Sequence, residues 1–257
     1  MDAAITGICF LGGAIIGSFV SVVAHRLPRG EGWMTGRSRC PECGGEVTAR
    51  DNVPVLSWFA LRGRCRSCGK PISAHYPLTE IGLGVLYAVT YLVLGDDAGE
   101  LALGLVLCTV LVAITLTDLD LRLIPNKLVL TGAAAAVAIA AISAPETLDT
   151  RAIAAAAAGG ALFLIALAYP RGMGMGDVKL VAMMGLFLGR AIAPALLVGF
   201  GAGAVIGVAM MARQGGQARK QTIPFGPFLA LGGVIALWCG DEIVEWYLDE
   251  FFRTEDA

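Results

Sequence analysis

Long uncharged runs, separated by shorter polar segments, fill most of the chain. A hydrocarbon core of roughly 30 Å needs about 20 apolar residues for one helical crossing, so runs near that length indicate transmembrane helices. The weakest run, Leu180 to Gly189, is short for an untilted crossing. The pattern predicts eight helices, at residues 3–24, 77–94, 101–117, 127–143, 152–169, 178–189, 191–211 and 226–247.

The composition agrees with this pattern, because 56% of the 257 residues are hydrophobic and only 16% are charged. A soluble domain of this size carries more charge than that. We therefore predict an all-α polytopic membrane protein with the lipid bilayer as its environment and no nucleic acid partner. Three parts are expected: a first transmembrane helix at 1–24, a polar loop at 25–76, and a seven-helix membrane domain at 77–257.

The basic residues indicate an orientation, because they fall in alternate loops. Only Arg151, Arg190 and Arg253, of 19 lysines and arginines, lie on the other side. The positive-inside rule then places the loop 25–76 in the cytoplasm and both termini outside. A re-entrant segment at 178–189 would move the basic loop 212–224 outside, so a spanning helix is favoured there. The first apolar run has no basic segment before it and is expected to be a retained helix rather than a signal peptide.

Four of the seven cysteines lie in the polar loop as two C-x-x-C pairs, with 21 residues between the pairs. This spacing is typical of a zinc ribbon, in which four thiolates complete a closed tetrahedral shell. A closed shell leaves no position for a reacting water, so the zinc would be structural. Two disulfides are the alternative, and the predicted cytoplasmic location disfavours them. The four predicted ligands are Cys40, Cys43, Cys65 and Cys68.

The remaining cysteines and the two histidines are expected to have structural roles. Cys9, Cys108 and Cys239 lie in or near predicted helices, where they would fill space as small apolar side chains. His25 and His75 flank the polar loop, and interfacial packing is favoured over metal binding for both.

Two carboxylates next to the predicted helices are candidates for chemistry, because ionisable groups at such positions are costly. Asp118 ends the third helix and Asp177 begins the sixth, and the predicted orientation places both at the cytoplasmic face. Structural roles are the alternative: Asp177 would cap a helix, and Asp118 would pair with Arg122 four residues on. Asp120 is a weaker candidate, because its side chain points roughly 200° around the helix from that of Asp118.

Two carboxylates that approach closely share one proton and titrate as a unit. One can then deprotonate a water that attacks a peptide carbonyl, while its protonated partner polarises the carbonyl oxygen. The glycines at 172, 174 and 176 would let a substrate backbone come close to Asp177. The pair therefore predicts an aspartyl endopeptidase.

Several motifs in order carry a family resemblance. They include His25-Arg26-Leu27-Pro28-Arg29-Gly30, both cysteine pairs, Asp51 to Trp58, Asp118 to Asn126, Gly174 to Leu180, and Pro224-Phe225-Gly226-Pro227-Phe228. In these motifs the chain resembles the type IV prepilin peptidases, which are bifunctional leader peptidases and N-methyltransferases of bacterial pilus and type II secretion systems.

The resemblance implies that Asp118 and Asp177 are the catalytic pair, the latter in a Gly-x-Gly-Asp motif shared with presenilin-like proteases. It implies a multi-pass protein of the bacterial inner membrane that cuts the basic leader of prepilins or pseudopilins at the cytoplasmic face. It also implies methylation of the new N-terminal residue from S-adenosylmethionine, with no residue assigned to that cofactor. The loop is too small for a Rossmann methyltransferase domain.

Two other classes of protein are alternatives to a peptidase. A proton- or cation-coupled transporter could use the same aspartates, but transporters usually place the working carboxylate near the bilayer midplane and often contain repeats. A membrane scaffold with a zinc-stapled docking loop would leave the aspartate pair without a purpose.

Overall fold

The computed structural model describes residues 3–32, 38–170, 172–214 and 224–252, and it is mainly helical throughout them. The predicted linker around 212–221 lies largely outside the described residues. In the described part, β pairing consists of two isolated bridges in the polar loop. The helices are α1 (Ala3–Arg26), α2 (Leu56–Ala60), α3 (His75–Leu94), α4 (Ala98–Leu121), α5 (Asn126–Ser143), α6 (Leu148–Ala168), α7 (Met175–Leu188), α8 (Ile192–Gln214) and α9 (Gly226–Phe252).

The prediction of an all-α polytopic membrane protein is confirmed. Each of the eight predicted spans corresponds to one helix, and α2 is a short addition inside the polar loop. By length and composition the described helices form seven stretches able to cross a membrane. There are seven rather than eight because α7 and α8 follow each other almost directly and form one stretch, Met175–Arg213. A single 3-10 turn, Gly189–Ala191, separates these two helices.

The chain divides into two compact units, Met1–Asp96 and Asp97–Ala257. In the first unit, α1 packs closely along α3 through two glycines spaced four residues apart. A Cβ on Gly13 would lie 2.9 Å from the Cα of Gly84, and one on Gly17 would lie 2.9 Å from the Cα of Glu80. Small residues at this spacing let two membrane helices approach closely. The predicted division into a first transmembrane helix at 1–24, a polar loop at 25–76 and a membrane domain at 77–257 stays a prediction.

In the second unit the short helix α7 is the most buried element, and small residues let α6 pack against it. A Cβ on Gly159 would lie 2.8 Å from the Cβ of Ala182, and one on Gly185 would meet the backbone of Ala155. The alanine-rich start of α6 therefore serves close helix packing. Only some glycines of α8 serve close packing. A Cβ on Gly199 or Gly203 would lie close to Phe228 of α9, whereas one on Gly201 or Gly207 would meet nothing within 4 Å among the described residues.

A buried arginine lies at the C-terminal end of α7. Arg151 donates to the carbonyl oxygen of Phe187, pairs with the carboxylate of Glu100, and donates from Nε to Thr147 Oγ1 at 3.0 Å. The last carbonyls of a helix lack partners within it, and a cation there is favourable. The sequence places Arg151 just before a predicted helix. In the structure α6 already begins at Leu148, and Arg151 lies in its first turn with a buried side chain.

Candidate active site

Asp118 lies in the last turn of α4 and is buried. Its Oδ2 accepts a hydrogen bond of 2.8 Å from the backbone N–H of Gly226, the first residue of α9. The helix ends directly afterwards, because Arg122 adopts a left-handed conformation with φ of 53° and donates its N–H to the Asp118 carbonyl. The start of one helix thus fixes one carboxylate oxygen at the end of another.

Asp177 lies in the first turn of α7 and is half-buried. Its Oδ2 accepts a hydrogen bond of 3.3 Å from the backbone N–H of Gly174, the residue that precedes the helix. A carboxylate at this position is favoured by the positive end of the helix dipole. The N-cap residue is therefore Gly174 rather than Asp177, whose side chain binds the N–H of that residue and uses only one of its two carboxylate oxygens.

The two aspartates lie at the same end of the second unit. Asp118 lies three residues before the end of α4, and Asp177 lies two residues after the start of α7. Neighbouring contacts hold the same helix ends together: Lys179 donates to Asn126 at 3.0 Å, and a Cβ on Gly176 would lie 3.1 Å from the Cβ of Ile124. The end of α4 and the starts of α5, α7 and α9 therefore meet around this pair.

Structural roles do not account for the whole arrangement. Arg122 forms no ion pair with Asp118 among the described residues. In the described part of the chain no donor reaches Oδ1 of Asp118 or of Asp177. Each aspartate thus has one oxygen fixed by a backbone amide and one left for another partner. Asp120 is exposed, as its direction on the helix predicts.

The four cysteines of the polar loop form one cluster in the first unit. Their sulfur atoms all lie within 4.8 Å of one another, and the Cys40 and Cys68 sulfurs are 3.8 Å apart. Tetrahedral Zn²⁺ with Zn–S bonds of about 2.3 Å separates its sulfurs by about 3.8 Å. All four are free cysteines, so the donor set and its spacing fit a closed four-thiolate metal site. Neither His25 nor His75 belongs to the cluster.

The two C-x-x-C pairs have the same backbone geometry. In each pair the N–H of the first cysteine bonds to a carbonyl five residues on, and the N–H of a glycine four residues on bonds back to that cysteine. Both glycines, Gly44 and Gly69, have a positive φ, of 69° and 70°, which glycine adopts without strain. Backbone N–H groups of Cys68 and Ser67 lower the pKa of the Cys65 thiol to about 7. At Cys65 the turn thus favours the thiolate form that binds metal, whereas burial and the neighbouring thiols raise the pKa of Cys68.

An ion pair connects the second cysteine pair to the segment that leads into α2. Arg66 donates to both carboxylate oxygens of Asp51, with the shortest distance 2.6 Å. This hydrogen bonding with Arg66 lowers the pKa of Asp51 and raises that of Arg66. Because a bidentate pair is geometrically specific, the position of the cysteine cluster is linked to that of residues 49–51.

Two family models match the chain along most of its length. The Bacterial Peptidase A24 N-terminal domain matches residues 11–94, and the Type IV leader peptidase family matches residues 105–210. A prepilin leader peptidase/N-methyltransferase of Aeromonas hydrophila is 38% identical, with 94% of this chain and 93% of the relative covered. The chain belongs to the type IV leader peptidase family. The family resemblance in the motifs is thereby confirmed, as is a multi-pass bacterial inner-membrane protein.

Other relatives of the type IV leader peptidase family show the same coverage. Those of Burkholderia pseudomallei strain K96243 and Bacillus subtilis strain 168 are 36% and 33% identical. They cover 89% and 94% of this chain, and 83% and 97% of their own length is matched. Both are named prepilin leader peptidase/N-methyltransferase. No solved structure matches the chain.

The contact of Gly226 with Asp118 could not be predicted from the sequence alone. Gly226 belongs to a motif that carries the family resemblance, but nothing in its sequence position assigns it a contact. In the structure its N–H binds Asp118, and a Cβ on it would lie 2.7 Å from Asp118 Oδ2. The signal available was the Pro-Phe-Gly-Pro-Phe motif beside a predicted helix start, at the same membrane face as the aspartates.

Proposed function

We propose that this chain is a membrane aspartyl endopeptidase that cleaves the basic leader of type IV prepilins or pseudopilins. The observation that carries the proposal is the position of two aspartates, Asp118 and Asp177, at one end of the helical unit, where the end of α4 meets the starts of α5, α7 and α9. Membership of the family and the names of its relatives support the class of substrate. A transporter using the same carboxylates would be expected to place them deeper, away from the helix ends.

The arrangement of hydrogen bonds suggests how the two carboxylates divide the work. Each has its Oδ2 bound to a backbone N–H. The other oxygen, Oδ1, is the one that would exchange protons with water or substrate. One carboxylate, as the base, takes a proton from water as the water oxygen attacks the scissile carbonyl carbon. The other, protonated, donates a hydrogen bond to the carbonyl oxygen and then protonates the leaving amine. The peptide bond breaks into a carboxylate and a new N-terminal amine.

We propose a second activity, N-methylation of the new N-terminal residue. The names of the relatives support it, since they describe peptidase/N-methyltransferases. S-adenosylmethionine would supply the methyl group: its S–CH₃ bond would break as the new N–C bond forms, the amine would lose one proton, and S-adenosylhomocysteine would leave. The proposal assigns no residue of this chain to the methyl donor.

We propose that the active site faces the cytoplasm and that both termini lie outside. The distribution of basic residues supports this orientation. The contacts of the second unit are consistent with it: Asp118, Asn126 and Asp177 share one end, and Glu100 with Arg151 shares the other. The predicted inside and outside groups of residues are thus separated by the length of the helices.

The decisive experiment is co-expression of the full chain with a candidate prepilin, followed by mass spectrometry of the pilin N-terminus. A pilin shortened at its leader and carrying one methyl group supports both activities. A shortened but unmethylated pilin supports the peptidase and contradicts the methyltransferase. An intact leader across several prepilins, with the protein correctly inserted, contradicts the proposed peptidase.

We propose that the four cysteines of the loop bind one structural zinc ion. Purified protein is expected to contain close to one zinc per chain, and Cys40→Ser is expected to lose most of it, because three thiolates no longer complete the shell. Cleavage should fall less than on replacement of either aspartate. The measurement is elemental analysis by mass spectrometry, with Cys9→Ser as the control because Cys9 lies outside the cluster. Zinc-free wild-type protein would contradict the proposal.

A further inference from the structure

The short helix α2 has its polar and apolar faces reversed for a helix in a polar loop. Ser57 is buried at 8% exposure, donates to the carbonyl of Arg50 at 3.0 Å, and accepts from the N–H of Val53 at 2.9 Å. Leu56 and Phe59, by contrast, are 68% and 62% exposed. Residues three apart lie on the same face of a helix, so these two side chains project together. An outward apolar face of this kind indicates an apolar neighbour.

The neighbouring residues extend this apolar face. Val53, just before α2, is 43% exposed. On the other side of the helix, Trp58 is held inward, because its indole N–H donates to the carbonyl of Ile72 at 3.1 Å and its ring packs against Gly63. The aromatic residue with a polar atom is thus fixed inside the loop, and the purely apolar side chains of Val53, Leu56 and Phe59 face outward.

A hydrogen bond to a transmembrane helix sets the height of α2. The backbone N–H of Val55, which precedes α2, donates to Glu80 Oε2 at 2.6 Å. Glu80 is buried in α3, roughly 8 Å along the helix axis from its first residue, His75. Val55 has a φ of 63°, which is strained for a β-branched residue and persists because its surroundings hold it. The start of α2 is therefore anchored beside the end of a membrane helix.

The exposed charges of residues 49–72 are all positive. From residue 49 to 72 the only carboxylate is Asp51, and it binds Arg66. Basic side chains beside an apolar face favour the headgroup region of an anionic bilayer. The other basic residues of this stretch, all exposed, are Arg50, Arg62, Arg64 and Lys70.

We propose that α2 docks on the lipid surface of the protein's own membrane. Val53, Leu56 and Phe59 enter the boundary between headgroups and acyl chains, and Arg50, Arg62 and Arg64 contact anionic headgroups. The bond between Glu80 and Val55 holds the helix at that depth, and the pair Asp51–Arg66 connects it to the cysteine cluster. The polar loop is thereby fixed against the membrane. This inference does not depend on the proposed peptidase or its substrate.

The test uses the full chain in vesicles of phosphatidylcholine mixed with phosphatidylglycerol. A photoreactive benzoylphenylalanine replaces Leu56 or Phe59, and Glu42, exposed on the first cysteine pair, is the control position. After illumination, mass spectrometry is expected to find lipid adducts at positions 56 and 59 and none at 42. Omission of phosphatidylglycerol should lower the yield of adduct at both positions.

Two results would overturn the proposal. One is the absence of lipid adducts at 56 and 59 in protein that elutes as the wild type does. The other is an adduct with a second copy of the chain, or with a co-expressed prepilin, in place of lipid. Hydrogen exchange of the unmodified chain guards against misfolding of the labelled variants. Amides of residues 56–60 should exchange more slowly in anionic than in neutral nanodiscs, with residues 40–46 unchanged, and equal exchange at 56–60 would also count against docking.

Discussion

Replacement of Asp118 or Asp177 by asparagine is expected to lower prepilin cleavage by about 10²–10⁴-fold, the range that a general acid or base contributes. An amide cannot take a proton from water or exchange one with its partner. Asparagine has nearly the shape of aspartate, and its carbonyl oxygen can still accept the N–H of Gly226 or of Gly174. The loss should therefore be in the chemical step, with the insertion and the helices unchanged.

The matched control for Asp118 is Asp120→Asn. Asp120 lies in the same helix two residues on, but it is exposed and points away. The substitution Asp120→Asn removes the same charge from the same membrane face as Asp118→Asn. A general effect of charge on the binding of a basic leader would therefore appear in both variants. The measurement is the rate of leader removal by purified protein. Equal losses in Asp118→Asn and Asp120→Asn would point to charge rather than to catalysis.

The double variant separates a cooperating pair from two independent sites. Residues that act as a unit show strongly non-additive losses, so Asp118→Asn with Asp177→Asn should be little worse than either single variant. If the two losses multiplied instead, the carboxylates would not share one reaction step. Wild-type rates in either single variant would remove that residue from the mechanism.

The helices and the position of the aspartates could be predicted from sequence because their signals are local. A long apolar run indicates a span whatever it packs against, and a carboxylate at the end of such a run stands out. Counting helices then placed Asp118 and Asp177 at one face. The exact bounds of the helices are harder to predict: α4 extends to Leu121, so Asp118 lies in its last turn rather than being its last residue.

Tertiary contacts could not be predicted, because they join residues far apart in sequence. Arg151 was assigned to an outer loop, but it is buried between helices where Glu100 and the end of α7 supply its partners. The spacing of Gly13 and Gly17 was visible in the sequence, yet only the position of α3 shows that it serves close packing. Conversely, Gly207 follows the same spacing in α8, but a Cβ on it would meet nothing within 4 Å among the described residues.

The cysteine cluster could be predicted from sequence only in part. The spacing of its four cysteines predicted that they would meet, and their sulfurs do. The link from Arg66 to Asp51, and from Val55 to Glu80, follows from how the loop folds back on α3. A loop with few apolar residues to bury has little local pattern, so these polar contacts become visible only in three dimensions.

Gly226→Ala is expected to lower cleavage by about 10²-fold, the loss that a displacement near 1 Å of a catalytic group causes. The new Cβ would lie 2.7 Å from Asp118 Oδ2 and 3.2 Å from its Cγ, so the carboxylate must move and its bond to the Gly226 N–H must lengthen. The measurement is the rate of leader removal.

Gly201→Ala is the control for helix propensity, because a Cβ there meets nothing within 4 Å. It should keep the wild-type rate of cleavage. Adding Gly226→Ala to Asp118→Asn tests whether the glycine acts through that carboxylate, since coupled residues in contact depart from additivity. Little further loss in the double variant is expected, because the group that Gly226 positions is already inactive. A full additional loss would mean that Gly226 serves another step, such as the approach of the substrate backbone.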